Sequence, residues 1–224
     1  IEFSLKVNVN QKKLITSLPM AQIQIGGLPF NINGVVDKDS MRFHIASNSI
    51  LLTDAVEKFS VDSDNHLKNL SGNGLLDFDL TVNGGTKSTD PIDIACNFSI
   101  KDGEIIEPTE KIKLNNIQLL GHYTKRDSTL EELVLTDVRF DSETGPFTGN
   151  LSVVDFENPQ LKGFAKGTIN LNAAHRILHL PEFENINGHL KVYCDFEAVQ
   201  NQNSELQLKR CSGDVTIVNS NFKL

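Results

Sequence analysis

The stretch Ile92-Asp93-Ile94-Ala95-Cys96-Asn97-Phe98-Ser99-Ile100 decides how this chain folds. Its apolar residues fall at every second position, and successive side chains of a strand point to opposite sides of the sheet. Ile92, Ile94, Cys96, Phe98 and Ile100 therefore share one face, and Asp93, Asn97 and Ser99 stand on the other. A helix would scatter these residues around its circumference, so the period selects β structure. The same alternation runs through Leu76, Phe78, Leu80 and Val82, with Asp77, Asp79 and Thr81 between them. It returns at Leu133 and Leu135, Leu151 and Val153, Ile169 and Leu171, and Val215 and Ile217. Ile112 and Leu114 follow it too. After Asn115-Asn116 the pattern resumes at Ile117 and Leu119 one position out of phase, as a β-bulge would produce.

One apolar face and one polar face mark an antiparallel sheet covered on one side only. Asn83-Gly84-Gly85, Lys101-Asp102-Gly103, Thr144-Gly145-Pro146 and Ser212-Gly213-Asp214 read as turns between the runs, and Lys125 to Thr129 as a charged hairpin loop. This spacing predicts a meander of about a dozen or more strands. Twisted sheets of more than about ten strands curl or split. The expected fold is therefore mainly β: a long curved antiparallel meander sheet, groove-like or sandwich-like. Two short helices should cap it. One covers Ile50 to Phe59, with Asp54 and Glu57 on its polar side; the other covers Ala173 to Leu180 and is ended by Pro181.

These helices belong to a unit that occurs twice, over about 43–84 and 167–198. In the first copy Phe43 to Asn48 leads into the helical stretch, and after a polar loop Asn69-Leu70-Ser71-Gly72 opens the alternating run of Leu75 to Leu80. In the second, Gly167 to Asn172 leads into the helical stretch, and Asn185-Ile186-Asn187-Gly188 opens the run of Leu190 to Phe196. A duplicated β unit points to a sheet that grows by repetition. The 224 residues are read as one β-rich domain, 1–224. Alternation is already under way at Ile1, Phe3 and Leu5 and still running at Phe222 and Leu224. The expectation is a fragment of a longer protein whose membrane or targeting segment lies outside it.

Net charge is -8, and the basic clusters are no larger than Lys12-Lys13 and Lys209-Arg210. Nucleic acid is therefore not an expected partner, because neutralising phosphates takes concentrated Lys and Arg. No stretch reaches the roughly 18–20 apolar residues of a membrane-spanning helix. The three cysteines, Cys96, Cys194 and Cys211, contain no Cys-x-x-Cys and form neither a disulfide framework nor a zinc site. Cys96 and Cys194 fall on the apolar phase, where Cys serves as a small hydrophobe. A single disulfide stays open, with no pairing legible from spacing.

Candidate chemistry is thin. His175 and His179 stand four apart, but Arg176 occupies the place where a zincin carries Glu. Asp62-Ser63-Asp64-Asn65-His66 begins like a calcium loop, yet Leu67 and Asn73 stand where Gly and Glu are needed. Asp77 and Asp79 alternate with Leu and Phe and read as the wet face of a sheet. No nucleophile elbow and no phosphate-cradling Gly loop occurs. The expectation is a non-enzymatic chain with no cofactor and no metal site.

The stretch Gly149-Asn150-Leu151-Ser152-Val153-Val154-Asp155-Phe156-Glu157-Asn158-Pro159, continuing through Leu161 and Gly167-Thr168-Ile169-Asn170-Leu171, resembles the AsmA-like family of bacterial envelope proteins, which includes relatives of TamB type. The resemblance extends through Ile186-Asn187-Gly188-His189-Leu190-Lys191-Val192 and Gly213-Asp214-Val215-Thr216-Ile217 to Phe222-Lys223-Leu224. It is clearest over 149–224, weaker over 43–84 and only compositional elsewhere. Asn187 stands where the family frequently has Ser. The resemblance implies a periplasmic segment of a protein held in the inner membrane by an N-terminal anchor and involved in outer-membrane biogenesis. It further implies likeness to bridge-like lipid transfer proteins, with phospholipid or another acyl lipid on an apolar β-groove and envelope proteins as further partners. On strand phase, the groove floor would include Leu76, Phe78, Leu80, Ile94, Phe98, Val192 and Phe196. The alternative is a closed β-sandwich or solenoid acting as a structural or protein-interaction module of the envelope. A carbohydrate-binding or adhesin domain is disfavoured by the absence of Trp and the presence of only Tyr123 and Tyr193.

Overall fold

A computed structural model describes residues 6–10, 13–59, 71–107, 112–127, 129–172, 185–200 and 206–223. Its strands are β1 (Lys6–Asn10), β2 (Lys13–Ile25), β3 (Leu28–Val36), β4 (Met41–Leu51), β5 (Ser71–Gly84), β6 (Ile92–Glu107), β7 (Ile112–Arg126), β8 (Thr129–Ser142), β9 (Gly145–Val154), β10 (Gln160–Asn170), β11 (Asn185–Gln200) and β12 (Leu206–Lys223). Among the described residues one helix, α1 (Leu52–Phe59), lies between β4 and β5. All 12 strands form one antiparallel sheet in which each pairs with its neighbours in sequence. The sheet is open and strands account for 83% of the described residues, so the closed form of the sandwich alternative is overturned.

Local chemistry explains the meander. Gly26 and Gly27, at φ 62° and 89°, make the two-residue hairpin between β2 and β3. At the β3–β4 corner Asp37 Oδ1 accepts from the amides of Asp39 and Ser40 at 2.9 and 2.7 Å. Asp155 does the same between β9 and β10, accepting from Glu157 and Asn158, both at 3.1 Å. Such Asx turns let a short side chain replace the missing backbone partner.

Two of the expected turns are not turns. Lys101-Asp102-Gly103 lies inside β6 and Ser212-Gly213-Asp214 inside β12. At both places glycine serves close approach of neighbouring strands: a Cβ on Gly103 would stand 2.9 Å from Cβ of Ile117, and one on Gly213 would stand 2.0 Å from the Tyr193 carbonyl oxygen. Asp102, at φ 50°, is the bulge of β6. The phase break at Asn115-Asn116 is also a bulge, with Asn116 at φ 52° and a register shift between Asn115 and Gln118. Asp137, at φ 51°, repeats the device in β8, and Gly74, at φ 120°, in β5. Asp and Asn tolerate this left-handed conformation better than other residues with a Cβ. Each bulge changes the parity of the apolar residues while leaving them on the same face. Hence Leu133 and Leu135 are followed by Val138 and Phe140, and Ile100 by Ile105.

The buried core is small and lies at one end. Leu28, Phe30, Ile50 and Ala55 form it, joined by Ile23, Ile45, Leu76 and Phe78. It exists because α1 folds onto the apolar face there, burying Leu52 and Ala55 and leaving Asp54 exposed. The second expected helix, Ala173 to Leu180, lies outside the described residues. The strands that flank both copies of the duplicated unit, β4 with β5 and β10 with β11, are antiparallel neighbours. Their connections leave the same edge of the sheet, since all even-numbered strands of a meander run one way. Accessible surface totals 15019 Å². A compact monomer of this mass would expose about 10,200 Å² by size scaling, and an open sheet exposes more.

Candidate functional site: an uncovered apolar face

Directly paired residues of antiparallel strands point to the same side. Following the register from strand to strand gives one row: Ser47, Phe78, Phe98, Gly121, Leu135, Leu151, Gly163, Phe196 and Cys211. It crosses every strand from β4 to β12, roughly 38 Å at about 4.8 Å per strand. A parallel row runs through Ile45, Leu80, Cys96, Tyr123, Leu133, Val153, Leu161, Ala198 and Leu208. The seven residues expected on the floor, Leu76, Phe78, Leu80, Ile94, Phe98, Val192 and Phe196, all lie on this face and all are half-buried. They do not form one equivalent set. Leu76 and Phe78 belong to the core under α1, and Phe78 meets Phe30 edge-on at 5.9 Å. Phe98, Val192 and Phe196 lie beyond that core.

Alternation gave no sign of how the floor is levelled. A Cβ on Gly121 would stand 2.1 Å from the Phe98 ring, and one on Gly163 would stand 2.7 Å from the Phe196 ring. Gly34 stands in the same relation to Phe43. Each ring lies over a neighbouring strand where no side chain stands, so the aromatic surface is spread along the sheet instead of projecting from it. Phe140 and Phe147 are also stacked, at 4.8 Å and 15°. The glycines are visible in the sequence, but their pairing with phenylalanine depends on register.

Cys96 is buried in the second row. Its thiol is pushed up to about 11, first by burial and then by the charge of Asp79. At the far side β12 is the edge strand, and Leu208, Val215 and Ile217 on the apolar face are 63%, 51% and 52% exposed. Among the described residues, β12 is paired to β11 alone.

The reverse face is mostly polar and in part internally paired, with Leu120 and the edge-on Phe164–Tyr193 pair as apolar exceptions. Asp77 accepts from Ser99 at 3.3 Å and from Lys101 at 3.1 Å; Asp79 pairs with His44 at 2.9 Å; His122 meets Asn97 at 2.7 Å. Lys162 lies 3.6 Å from Glu197. Two hollows of about 380 and 420 Å³ open among these side chains, behind the backbones of Phe98 and Leu151. In the first hollow Asp77, Asp79, Asn97, Ser99 and His122 are each paired across strands, and in the second Lys162 faces Glu197. Asp77 and Asp79 therefore each take partners from neighbouring strands on the wet side. His175, His179 and the Asp62 to His66 segment lie outside the described residues. Among the described residues no cluster of three or more His, Cys, Asp or Glu could hold a metal, and no helix is long and apolar enough to cross a membrane.

Comparisons with protein families, with curated proteins and with solved structures found no match to this chain.

Proposed function

We propose that the chain is a non-enzymatic segment of an AsmA-like envelope protein, and that its apolar sheet face carries the acyl chains of phospholipids through the periplasm. On this reading a membrane anchor outside the sequence ties it to the inner membrane. The observation that carries the reading is the continuous apolar row from Phe78 to Phe196, half-buried and, beyond α1, covered by no described element. Exposed apolar surface of that extent is a hallmark of an interaction face. Acyl chains are suited to it because each buried CH₂ contributes about 0.8 kcal/mol without any directional contact. The polar reverse face would remain in water, and selectivity among lipids would be low.

Native mass spectrometry of the protein purified from a bacterial periplasm, with organic extraction, tests this directly. Phospholipid should co-purify, and Phe196→Asp should abolish it while circular dichroism stays unchanged. Phe196 is the informative position because Phe78→Asp would also disturb the α1 core. A lipid-free mass with no uptake of added phospholipid refutes the reading and favours a scaffolding module of the envelope.

A further inference from the structure

We propose that Cys194 and Cys211 form a reversible disulfide that clasps the edge strand β12 to β11. The register places Cys194 opposite Gly213 and Phe196 opposite Cys211, so the two thiols are diagonal neighbours on the apolar face. Diagonal neighbours ordinarily stand about 7–8 Å apart, somewhat beyond the roughly 4.4–6.8 Å between Cα atoms that a disulfide spans. Two features close that gap. Gly213 presents no side chain opposite Cys194, and its backbone is pressed close: a Cβ there would stand 2.8 Å from the Cys194 Cα. The Cys211 side chain shares that face, near enough to help raise the pKa of the Cys194 thiol after burial. The two cysteines also differ in access, since Cys194 is buried and Cys211 exposed.

This asymmetry orders the chemistry. The Cys211 thiolate attacks a disulfide-bearing oxidant such as oxidised glutathione, forming a mixed disulfide and expelling one glutathione thiolate. Cys194, held at a higher pKa first by burial and then by its neighbour Cys211, loses its proton to solvent and attacks the Cys211 sulfur. The second glutathione leaves as its thiolate. The protein dithiol is oxidised by two electrons and the glutathione disulfide is reduced to two thiols. The bond has a structural purpose at this place. A long unpaired edge strand is a site of fraying and of pairing with other chains, and β12 carries exposed Leu208, Val215 and Ile217. Closing residues 195–210 into a loop removes open conformations of β12.

The test is thiol counting and peptide mapping of the whole protein in oxidised glutathione, with amide hydrogen exchange over 206–223. Free thiols should fall from three to one, with Cys96 the one that remains and Cys194 linked to Cys211. Exchange in β12 should slow by on the order of 100-fold, the expectation for a loop of about fifteen residues, and dithiothreitol should reverse it. Cys211→Ser should show neither change, and Cys194→Ser should stall with glutathione held on Cys211. Three thiols persisting in the wild type, or a glutathione adduct on Cys211 beside a free Cys194, would overturn the proposal.

Discussion

Ile50→Ala, set against Leu151→Ala, separates a core from a floor. Ile50 is 1% exposed and packed among Leu28, Phe30 and Ala55 under α1. Removing its outer carbons loses their transfer free energy and leaves a cavity that Phe30 and the helix only partly fill. The expected cost is about 2–5 kcal/mol. A domain of this size shifts in Tm by about 2–4 °C per kcal/mol, so a fall of roughly 4–20 °C is expected for unfolding at that end. Leu151 lies in the row across the open sheet and is half-buried. Its truncation exposes no enclosed cavity, and the cost should be about 1 kcal/mol, the lower part of what burying a Leu contributes. The assay is thermal denaturation by circular dichroism with residue-level hydrogen exchange. Each strand of a meander touches its sequence neighbours, so stability is distributed in nearly one dimension. Ile50→Ala should therefore deprotect β3 to β5 and α1 while leaving β9 to β12 as in the wild type. Equal costs for the two substitutions, or deprotection spreading evenly to β12, would refute the picture of a local core on an open sheet.

Three further outcomes follow from the geometry. Gly121→Val should destabilise by about 1–3 kcal/mol through overpacking, because its Cβ lands on the Phe98 ring. Adding Phe98→Ala should relieve much of that cost, as a double-mutant cycle in chemical denaturation would read. Asp137→Ala should cost roughly 1–2 kcal/mol for the left-handed backbone at φ 51°, whereas Asp137→Gly should equal or exceed the wild type in urea titration. Cys96, with its thiol pushed up to about 11, keeps its proton where an unfolded chain loses it. The unfolded state then binds fewer protons, so stability falls as pH rises from about 9 to about 11, by on the order of 2 kcal/mol. Cys96→Ala should flatten that slope.

The sequence by itself determined the secondary structure, the meander and which residues share a face. Period two is a local property: that Phe78 points against Asp77, and Phe98 against Asn97, follows from pleating alone, and the bulge at Asn115-Asn116 showed as a break in phase. Turn chemistry was less secure. Gly103 and Gly213 carry the signature of turns, and nothing in the chain nearby reveals that each is a point where an adjacent strand presses close. Only the tertiary structure decided that the sheet stays open, that Phe98 lies over Gly121 and Phe196 over Gly163, and that Cys211 stands diagonally across from Cys194. These are facts of register and closure, set by pairing between residues far apart in sequence. An apolar face reads the same whether it ends against another sheet or faces outward, because alternation records which side is apolar and carries no information about what covers it.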